Sequence, residues 1–453
     1  MNKKIIGLSI AMLFAASGAN AQSVNGSTVE LYGVLDVAVG SVEYSLAGDP
    51  TFPATVNPLT ATKLAVNQST TGMFNGGITP SRWGIRGTED LGGGVKAIFN
   101  FDSYVNVNNG TLSNAAASLA NNRSATAGTV SAASSINGQL FNDVAYVGLM
   151  DDTMGKVTFG RQWAPMGDIL REYDAVQDAQ LFSPLGFSGT YAGGGLTELK
   201  RQDDSVKYMN KFGDFNFTAM VKLGGIAGKS SAASAYGLGA GYEAYGFGIQ
   251  AAYQSATDAL HGANSAVIGD VNVTNYNTNA FMIAAKYAFG DAKVTGGYES
   301  YTLKKPSDSV ESLGISTYYG YQIGNPAAVA ACATGNTADF CAANQTTDVI
   351  WVGGDYNFTP NFNLAVGFYD LNPKASSDFT ALSATGGVNK VNGFSTQADG
   401  NIYEYSLLAD YHFSKRTDVY AGLMYSQYKG NQYSSLAYNT SNYIYAVGLR
   451  TKF

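Results

Sequence analysis

Residues 441–453 read Ser-Asn-Tyr-Ile-Tyr-Ala-Val-Gly-Leu-Arg-Thr-Lys-Phe, and the alternation within them decides the fold. Tyr443, Tyr445, Val447 and Leu449 are separated by single residues, and successive side chains of a β-strand point to opposite faces of the sheet. The segment is therefore predicted to be a strand with one continuous apolar face.

The same period of two recurs along the chain, in segments such as 215–221, 281–287, 362–368 and 403–413. The 30 Tyr, 23 Phe and 54 Gly against only 10 Pro suit strands and tight turns. A soluble sandwich would bury the apolar face as its core. The aromatic residues instead concentrate at the ends of the segments, as they do in the interfacial girdles of transmembrane barrels.

The amino-terminal residues predict export. Lys3 and Lys4 precede an apolar run over residues 5–16, and Ala19-Asn20-Ala21 forms a small-residue cleavage site. These features define a secretory signal peptide over residues 1–21, so the mature domain is predicted to span 22–453. The alternative is a membrane anchor, but this run is too short, because a spanning helix needs about 20 apolar residues.

Composition narrows the class of protein. The chain has 27 basic and 34 acidic residues, so nucleic acid is not expected to be a partner. Beyond the signal, no apolar run approaches the length of a spanning helix. An exported chain this rich in aromatic residues can cross a membrane only by closing its backbone hydrogen bonds into a barrel.

The pattern predicts an all-β fold, a transmembrane barrel of sixteen antiparallel strands with short periplasmic turns and long external loops. Short connections such as Leu91–Gly94 follow every even strand, and long ones such as 41–80 and 304–345 follow every odd strand. Both termini then lie on the periplasmic side, which requires an even number of strands. The predicted strands are 28–40, 81–89, 95–104, 141–149, 156–163, 203–212, 214–223, 235–243, 246–255, 278–289, 291–303, 346–357, 362–371, 402–413, 416–428 and 442–453.

Enzymatic motifs do not fit their context. Gly224–Ser230 imitates a phosphate-binding loop, but three residues instead of four separate Gly224 from Gly228, and a strand follows instead of a helix. His261 and His412 are the only histidines, and they have no metal-ligand spacing. The sequence thus predicts no enzyme, no cofactor and no metal, with a Ser/His hydrolase of the outer membrane as a remote alternative.

Four stretches resemble the general-diffusion porins of β-proteobacteria and Neisseria. Residues 81–94, Ser-Arg-Trp-Gly-Ile-Arg-Gly-Thr-Glu-Asp-Leu-Gly-Gly-Gly, are similar to the second strand and first turn of that family. Ala145–Leu149, Phe159–Gln162 and Gly448–Phe453 are similar to later strands. The resemblance covers essentially the whole mature chain, although residues 183–195 keep the glycine-rich character of the third loop only loosely.

The resemblance implies a homotrimer in the outer membrane of a Gram-negative bacterium, in contact with its lipid. Each barrel would hold its own water-filled pore for passive diffusion of ions and small hydrophilic solutes, with the third loop folded inward. It also makes Phe453 the recognition signal for the outer-membrane insertion machinery. An adhesin or receptor barrel, acting through its loops, is the other class of function. Ion selectivity, preferred solute and pore diameter stay open.

Three arginines are candidates for the pore wall. By the resemblance, Arg82 and Arg86 match the basic ladder that faces the third loop. Arg161 belongs to the Gly-Arg-Gln motif, but its parity points it at lipid unless a bulge turns the strand. Gly237 and Gly239 share one strand face, where small residues leave room for a neighbouring side chain.

The third loop, about residues 164–200, is predicted to fold into the barrel and narrow the pore. Its acidic residues are opposed only by Arg171 in the first half, and Arg171–Ala179 is predicted to form a short helix on the wall. An acidic loop facing Arg82 and Arg86 would set up a transverse field that acts more strongly than in bulk water. The alternative is a loop that lies outside with solvated charges. The acidic residues are Asp168, Glu172, Asp174 and Asp178.

Cys332 and Cys341 are predicted to form a disulfide within the sixth external loop. They are the only cysteines, the compartment is oxidising, and eight residues between them allow the ring to close. The bond would stabilise the folded protein by roughly 2–3 kcal/mol on the chain-entropy model. Thiol titration of the denatured, non-reduced protein should find no free thiol, and two titrating thiols would contradict the bond.

Overall fold

The computed structural model describes residues 22–24, 27–46, 67–112, 131–132, 140–185, 200–224, 234–261, 276–304, 317–318, 321–322, 345–374, 401–429 and 439–453. Residues 1–21 and both cysteines lie outside these ranges, so the signal peptide and the disulfide stay predictions. Within the described ranges, no helix has the length and apolarity needed to cross a membrane.

The described residues confirm the sixteen-stranded antiparallel barrel. Its strands are β1 Ser27–Leu46, β2 Arg82–Gly92, β3 Val95–Asn106, β4 Val144–Asp151, β5 Gly155–Trp163, β6 Arg201–Phe212, β7 Phe215–Lys222, β8 Ala235–Ala244, β9 Phe247–His261, β10 Tyr276–Phe289, β11 Ala292–Lys304, β12 Gln345–Thr359, β13 Phe362–Pro373, β14 Ile402–His412, β15 Thr417–Tyr428 and β16 Asn439–Lys452. A single helix, α1, spans Pro165–Tyr173 in this part of the chain. Six shorter strands are Gln22–Val24, Asn67–Asn75, Thr111–Leu112, Ser131–Ala132, Thr317–Tyr318 and Tyr321–Gln322.

Exposure confirms the faces that the alternation predicted. In β16, Val447 and Leu449 are 60% and 49% exposed, whereas Ala446 and Arg450 are 5% and 9% exposed. The exposed row is the lipid side, where an apolar side chain is favourable and a charge would cost several kcal/mol near the midplane. The other row faces the interior of the barrel.

The second strand differs from the prediction. Asn67–Asn75 pairs with the external half of β1, and β2 pairs with the periplasmic half of β1. Residues 76–81 between them leave the sheet. The sequence placed residues 67–75 in a loop because their Ser, Thr and Gly content resembles a connection more than a strand.

The closing seam joins the first and last strands. β1 and β16 pair from Val34 opposite Lys452 to Leu46 opposite Asn439. Gly33 and Phe453 extend the seam by exchanging two backbone hydrogen bonds of 3.1 Å. The ring of Phe453 lies where a Cβ on Gly33 would stand, so only glycine fits beneath it.

A larger side chain at Gly33 should weaken the seam. Gly33→Leu would displace the Phe453 ring, and such overpacking typically costs about 1–3 kcal/mol. Gly72→Leu is the matched control, because a Cβ on Gly72 would meet no atom within 4 Å. In electrophoresis after graded heating, Gly33→Leu should lose its compact form at a lower temperature than Gly72→Leu. Equal melting of the two variants would contradict the role of the seam.

Candidate functional site

The third loop begins with an amphipathic helix. Pro165 occupies the first turn of α1, where its fixed φ suits a helix and its missing N–H is not needed. One side of α1 is buried and apolar, and it consists of Met166, Ile169, Leu170 and Tyr173. The opposite side carries Asp168, Arg171 and Glu172, which are exposed or half-buried.

The predicted helix over Arg171–Ala179 is wrong in position. The helix ends at Tyr173, and Asp174 has extended backbone geometry. Gln177 and Asp178 have φ of 62° and 60°, a left-handed conformation that stops a helix. The acidic composition of this stretch gave no signal for the turn, whereas Pro165 is a helix-start signal that the prediction did not use.

The described part of the loop lies inside the barrel. Trp351 on β12 donates its indole N–H to the carbonyl oxygen of Tyr173 at 2.8 Å. Ser406 on β14 donates its hydroxyl to the carbonyl oxygen of Phe182. The loop therefore follows the inner wall from the end of β5 around to β14 and beyond.

Glycines on the wall make this close approach possible. A Cβ on Gly237 would lie 3.0 Å from Pro165, and one on Gly353 would lie 2.6 Å from the Cβ of Ala175. The prediction that Gly237 leaves room for a neighbouring side chain is thus confirmed. The same sector of the wall presents inward apolar residues, which form one buried cluster with the loop. That cluster includes Met282, Val349, Trp351, Leu371, Leu408, Met166, Leu170, Val176, Phe182 and Leu185.

The four acidic residues of the loop bond to lysines and a tyrosine. The Asp168 carboxylate lies 2.5 Å from Lys207 Nζ, and the Glu172 carboxylate lies 2.6 Å from Lys286 Nζ. Both project from the polar side of α1 toward the lumen. The transverse field predicted from an acidic loop is therefore weakened at its source, because each of these carboxylates has a lysine within ion-pair distance, although Lys286 also pairs with Glu243.

Asp174 and Asp178 lie on the wall side of the loop and not in the lumen. Asp174 is fully buried and accepts a hydrogen bond of 2.7 Å from the Tyr369 hydroxyl. Burial raises the pKa of Asp174 to about 6, although the bond from Tyr369 acts in the opposite direction. Asp178 pairs with Lys200 at 2.6 Å. These two carboxylates hold the loop together and do not meet passing ions.

Arg82 and Arg86 lie on the opposite wall, on β2. The Arg86 guanidinium lies 2.7 Å from a carboxylate oxygen of Glu30, and the Arg82 guanidinium lies 3.3 Å from Asp102. A second carboxylate, of Asp143, lies 3.9 Å from Arg82. Both arginines keep part of their side-chain surface accessible from the lumen, at 19% and 13%.

Arg161 is a buried residue of the wall. It pairs with Asp203 at 2.6 Å and donates two hydrogen bonds to the carbonyl oxygen of Asn142. A register shift between Gln202 and Ser205 on β6 lies opposite Arg161. The parity of Arg161 required a strand irregularity to keep its side chain out of lipid. That irregularity is present on the neighbouring strand, β6, and it turns the guanidinium away from lipid.

The sequence did not predict a cluster around Trp163. The Arg171 guanidinium lies 3.5 Å from the centre of the Trp163 ring, and the Arg201 guanidinium lies 4.7 Å from it. Trp163 Nε1 and Arg201 Nε both donate to Asp143 Oδ1, at 2.9 and 2.8 Å. No carboxylate of the described residues lies within ion-pair distance of Arg171, and its charge acts on the carboxylates of Asp143 and Asp102 at longer range. The sequence feature that could have indicated this cluster is the end of a predicted strand at Trp163, directly before a loop rich in charged residues.

A polar group at the periplasmic end brings Asp410, His412 and Asp418 together, with possible ligand atoms within 4.8 Å of one another. The Arg450 guanidinium lies 3.0 Å from Asp418 and 3.3 Å from Asp410. The guanidinium bridges the two carboxylates, so the group is an ion-pair network of the wall.

Comparison with known proteins agrees with a transmembrane barrel. A family model described as Gram-negative porin matches residues 7–431. The chain belongs to the Gram-negative porin family. The resemblance noted from residues 81–94 and the terminal strand is thereby confirmed.

Individual relatives agree with this assignment. The porin is 26% identical to an outer membrane porin protein of Bordetella pertussis over 469 residues, which cover 98% of this chain and 99% of the relative. The structure of an anion-selective porin from Comamonas acidovorans matches 94% of this chain and 100% of its own, with a TM-score of 0.59 at 18% identity. The trimer form of the outer membrane protein OmpT of Vibrio cholerae matches 94% of this chain and 99% of its own, with a TM-score of 0.52 at 16% identity.

Replacing charges that line the lumen should change ion selectivity. Arg82→Ala with Arg86→Ala should move the reversal potential in a salt gradient toward cation preference. Asp168→Asn with Glu172→Gln should move it toward anion preference, because two negative charges are lost, Lys207 loses its carboxylate partner and Lys286 keeps only Glu243. The shifts should be largest at low salt, since screening is weakest there.

Asp174→Asn with Asp178→Asn is the matched control for the acidic pair, because it removes the same number of charges from buried positions. It should leave the reversal potential close to that of the wild type. If the double variants leave the potential unmoved, these residues do not line the narrow part of the pore.

Proposed function

We propose that this outer-membrane porin passes ions and small hydrophilic solutes by passive diffusion, through a lumen narrowed by its third loop. The observation that carries the proposal is that the third loop packs against only one side of the inner wall. The loop packs on the wall of β8–β15 through apolar contacts, and sixteen strands leave an aqueous channel unless they are filled. The wall of β1–β6 then lines the remaining space with charged groups such as Arg82 and Arg86.

The same arrangement argues for a channel and against an enzyme. Ionisable groups along the lumen pair with one another across strands, as Lys286 does with Glu243 at 3.0 Å. Such pairs hydrate and polarise a passage but leave no nucleophile beside a base. A receptor or adhesin barrel would need no charged lumen at all.

We also infer a homotrimer, from exposed aliphatic residues on β1 and β4. Near the periplasmic ends of β7–β14 the outward residues include Phe247, Tyr287 and Tyr411, which suit a lipid interface. On β1 and β4 the outward residues near that end are aliphatic, as at Leu31 and Leu149. Exposed aliphatic residues on these strands suit contact with further copies of the chain, and OmpT, which shares the fold, is known in a trimer form.

The trimer has a direct test. Purified porin that is not heated should migrate in dodecyl sulfate electrophoresis as an assembly of three chains and become a single chain after boiling. Closure of each barrel gives this resistance, because no free strand edge is available for unfolding to begin. Migration of the unheated protein as one compact chain would contradict the trimer.

Phe453 is proposed as the signal for the insertion machinery. It ends an alternating strand with an aromatic residue on the outward face, and its ring rests on Gly33 once the seam has closed. The ring would bind the insertion machinery before the barrel closes, and the same ring packs on Gly33 after it closes.

The channel itself predicts size-limited uptake. Liposomes containing the porin should swell in isotonic sugar solutions, at a rate that falls steeply as the sugar grows from a mono- to a trisaccharide. The constriction formed by the third loop is the reason for the size dependence. Liposomes with the boiled protein are the control. If both preparations swell equally slowly, the barrel is a binding or structural protein instead.

A further inference from the structure

We propose that Asp36 is a positioning residue for the third loop, and that it acts through residues 76–81. These residues, the strap, leave the sheet between Asn67–Asn75 and β2 and turn into the barrel. The proposal rests on the channel function above. It identifies the residues that hold the third loop against the wall and thereby set the width of the open channel.

The strap is built to enter the lumen. Gly76 has φ of +81°, a conformation that lets the chain turn sharply at the end of the outer strand segment. Its N–H donates to the carbonyl oxygen of Asp36 at 2.8 Å. Ile78 is 4% exposed and belongs to the apolar cluster formed by the loop and the wall. The strap is thus part of the packing that seats the loop.

Asp36 binds the strap with its whole carboxylate. The side chain is fully buried and accepts backbone N–H groups of Gly77, Ile78 and Thr79 at 3.1, 3.1 and 2.7 Å. The Tyr420 hydroxyl donates to the same carboxylate. Hydrogen bonds to a charged group are about twice as strong as neutral ones, so four donors on one carboxylate make a firm attachment.

The strap in turn binds the third loop at residues 180–181. The carbonyl oxygens of Gly77 and Ile78 accept N–H groups of Leu181 and Gln180, at 3.0 and 3.2 Å. Three N–H groups of the strap thus donate to the Asp36 carboxylate, and two carbonyl oxygens of the strap accept hydrogen bonds from the loop. If the carboxylate is altered, residues 180–181 lose a fixed partner, and the loop can leave the wall and enter the open part of the lumen.

The test compares Asp36→Asn with Asp355→Asn in full-length porin in planar bilayers. Asp355 is also a nearly buried acidic residue of the inner wall, paired with Lys293 at 2.8 Å, and each change removes one negative charge. Only Asp36 holds the strap. Asp36→Asn should increase the rate of brief closures about tenfold or more, the factor expected when hydrogen bonds to a charged group are lost. Asp355→Asn should close as rarely as the wild type.

Tyr420→Phe provides a milder second variant, because it removes one of the four donors and keeps the ring. It should raise the closure rate in the same direction by a smaller factor, and it decides the matter if Asp36→Asn does not assemble. Closure rates equal to that of Asp355→Asn, in whichever of the two variants assembles, would overturn the role of Asp36 while the conducting wild type leaves the channel function intact. A wild type that does not conduct would overturn both.

Discussion

Every backbone N–H and C=O group of a membrane-spanning strand must find a partner within the protein, because the hydrocarbon core supplies no water. In this porin the pairing of β1 with β16 meets that constraint, since each of the sixteen strands then pairs with a neighbour on both sides within the described residues. Closure fixes one face of each strand to lipid and the other to the interior. The outward apolar rows, the inward charges and the seat of the terminal Phe453 all follow from that division.

Closure creates a second problem, because sixteen strands enclose more space than their own side chains can fill. The third loop solves it on one side only. Its apolar helix face and the inward Trp351 and Leu408 form a core inside the barrel, and glycines such as Gly353 allow the backbone to come close. The other side keeps its charged residues and its water. The inner wall thus has an apolar part that the loop covers and a charged part that faces the lumen, and α1 lies at the boundary between them.

The strands could be predicted from sequence because their signal is local. A period of two in residues such as Tyr443–Leu449 needs no knowledge of distant partners, and short turns between the strands fix their order. The outer segment Asn67–Asn75 was missed because its residues lack that apolar alternation and are held by pairing with β1. Tertiary pairing overrides a weak local preference there.

The site was less predictable, because it depends on which side chains meet across the lumen. The acidic residues Asp174 and Asp178 were expected to face Arg82, yet they lie on the wall side of the loop and bond to Tyr369 and Lys200. Parity does not apply to a loop, so charge alone could not tell a lumen residue from a buried one. The cluster of Arg171, Trp163 and Arg201 likewise joins groups that are far apart in sequence.

Single-channel recording of the purified wild-type porin in a planar bilayer examines the water-filled lumen most directly. A barrel that is open along the wall of β1–β6 predicts stepwise increases in current that are ohmic at low voltage and grow with increasing salt. A membrane that contains the inserted protein but stays at baseline current would show that the third loop and the external loops fill the lumen. The barrel would then not be a diffusion channel.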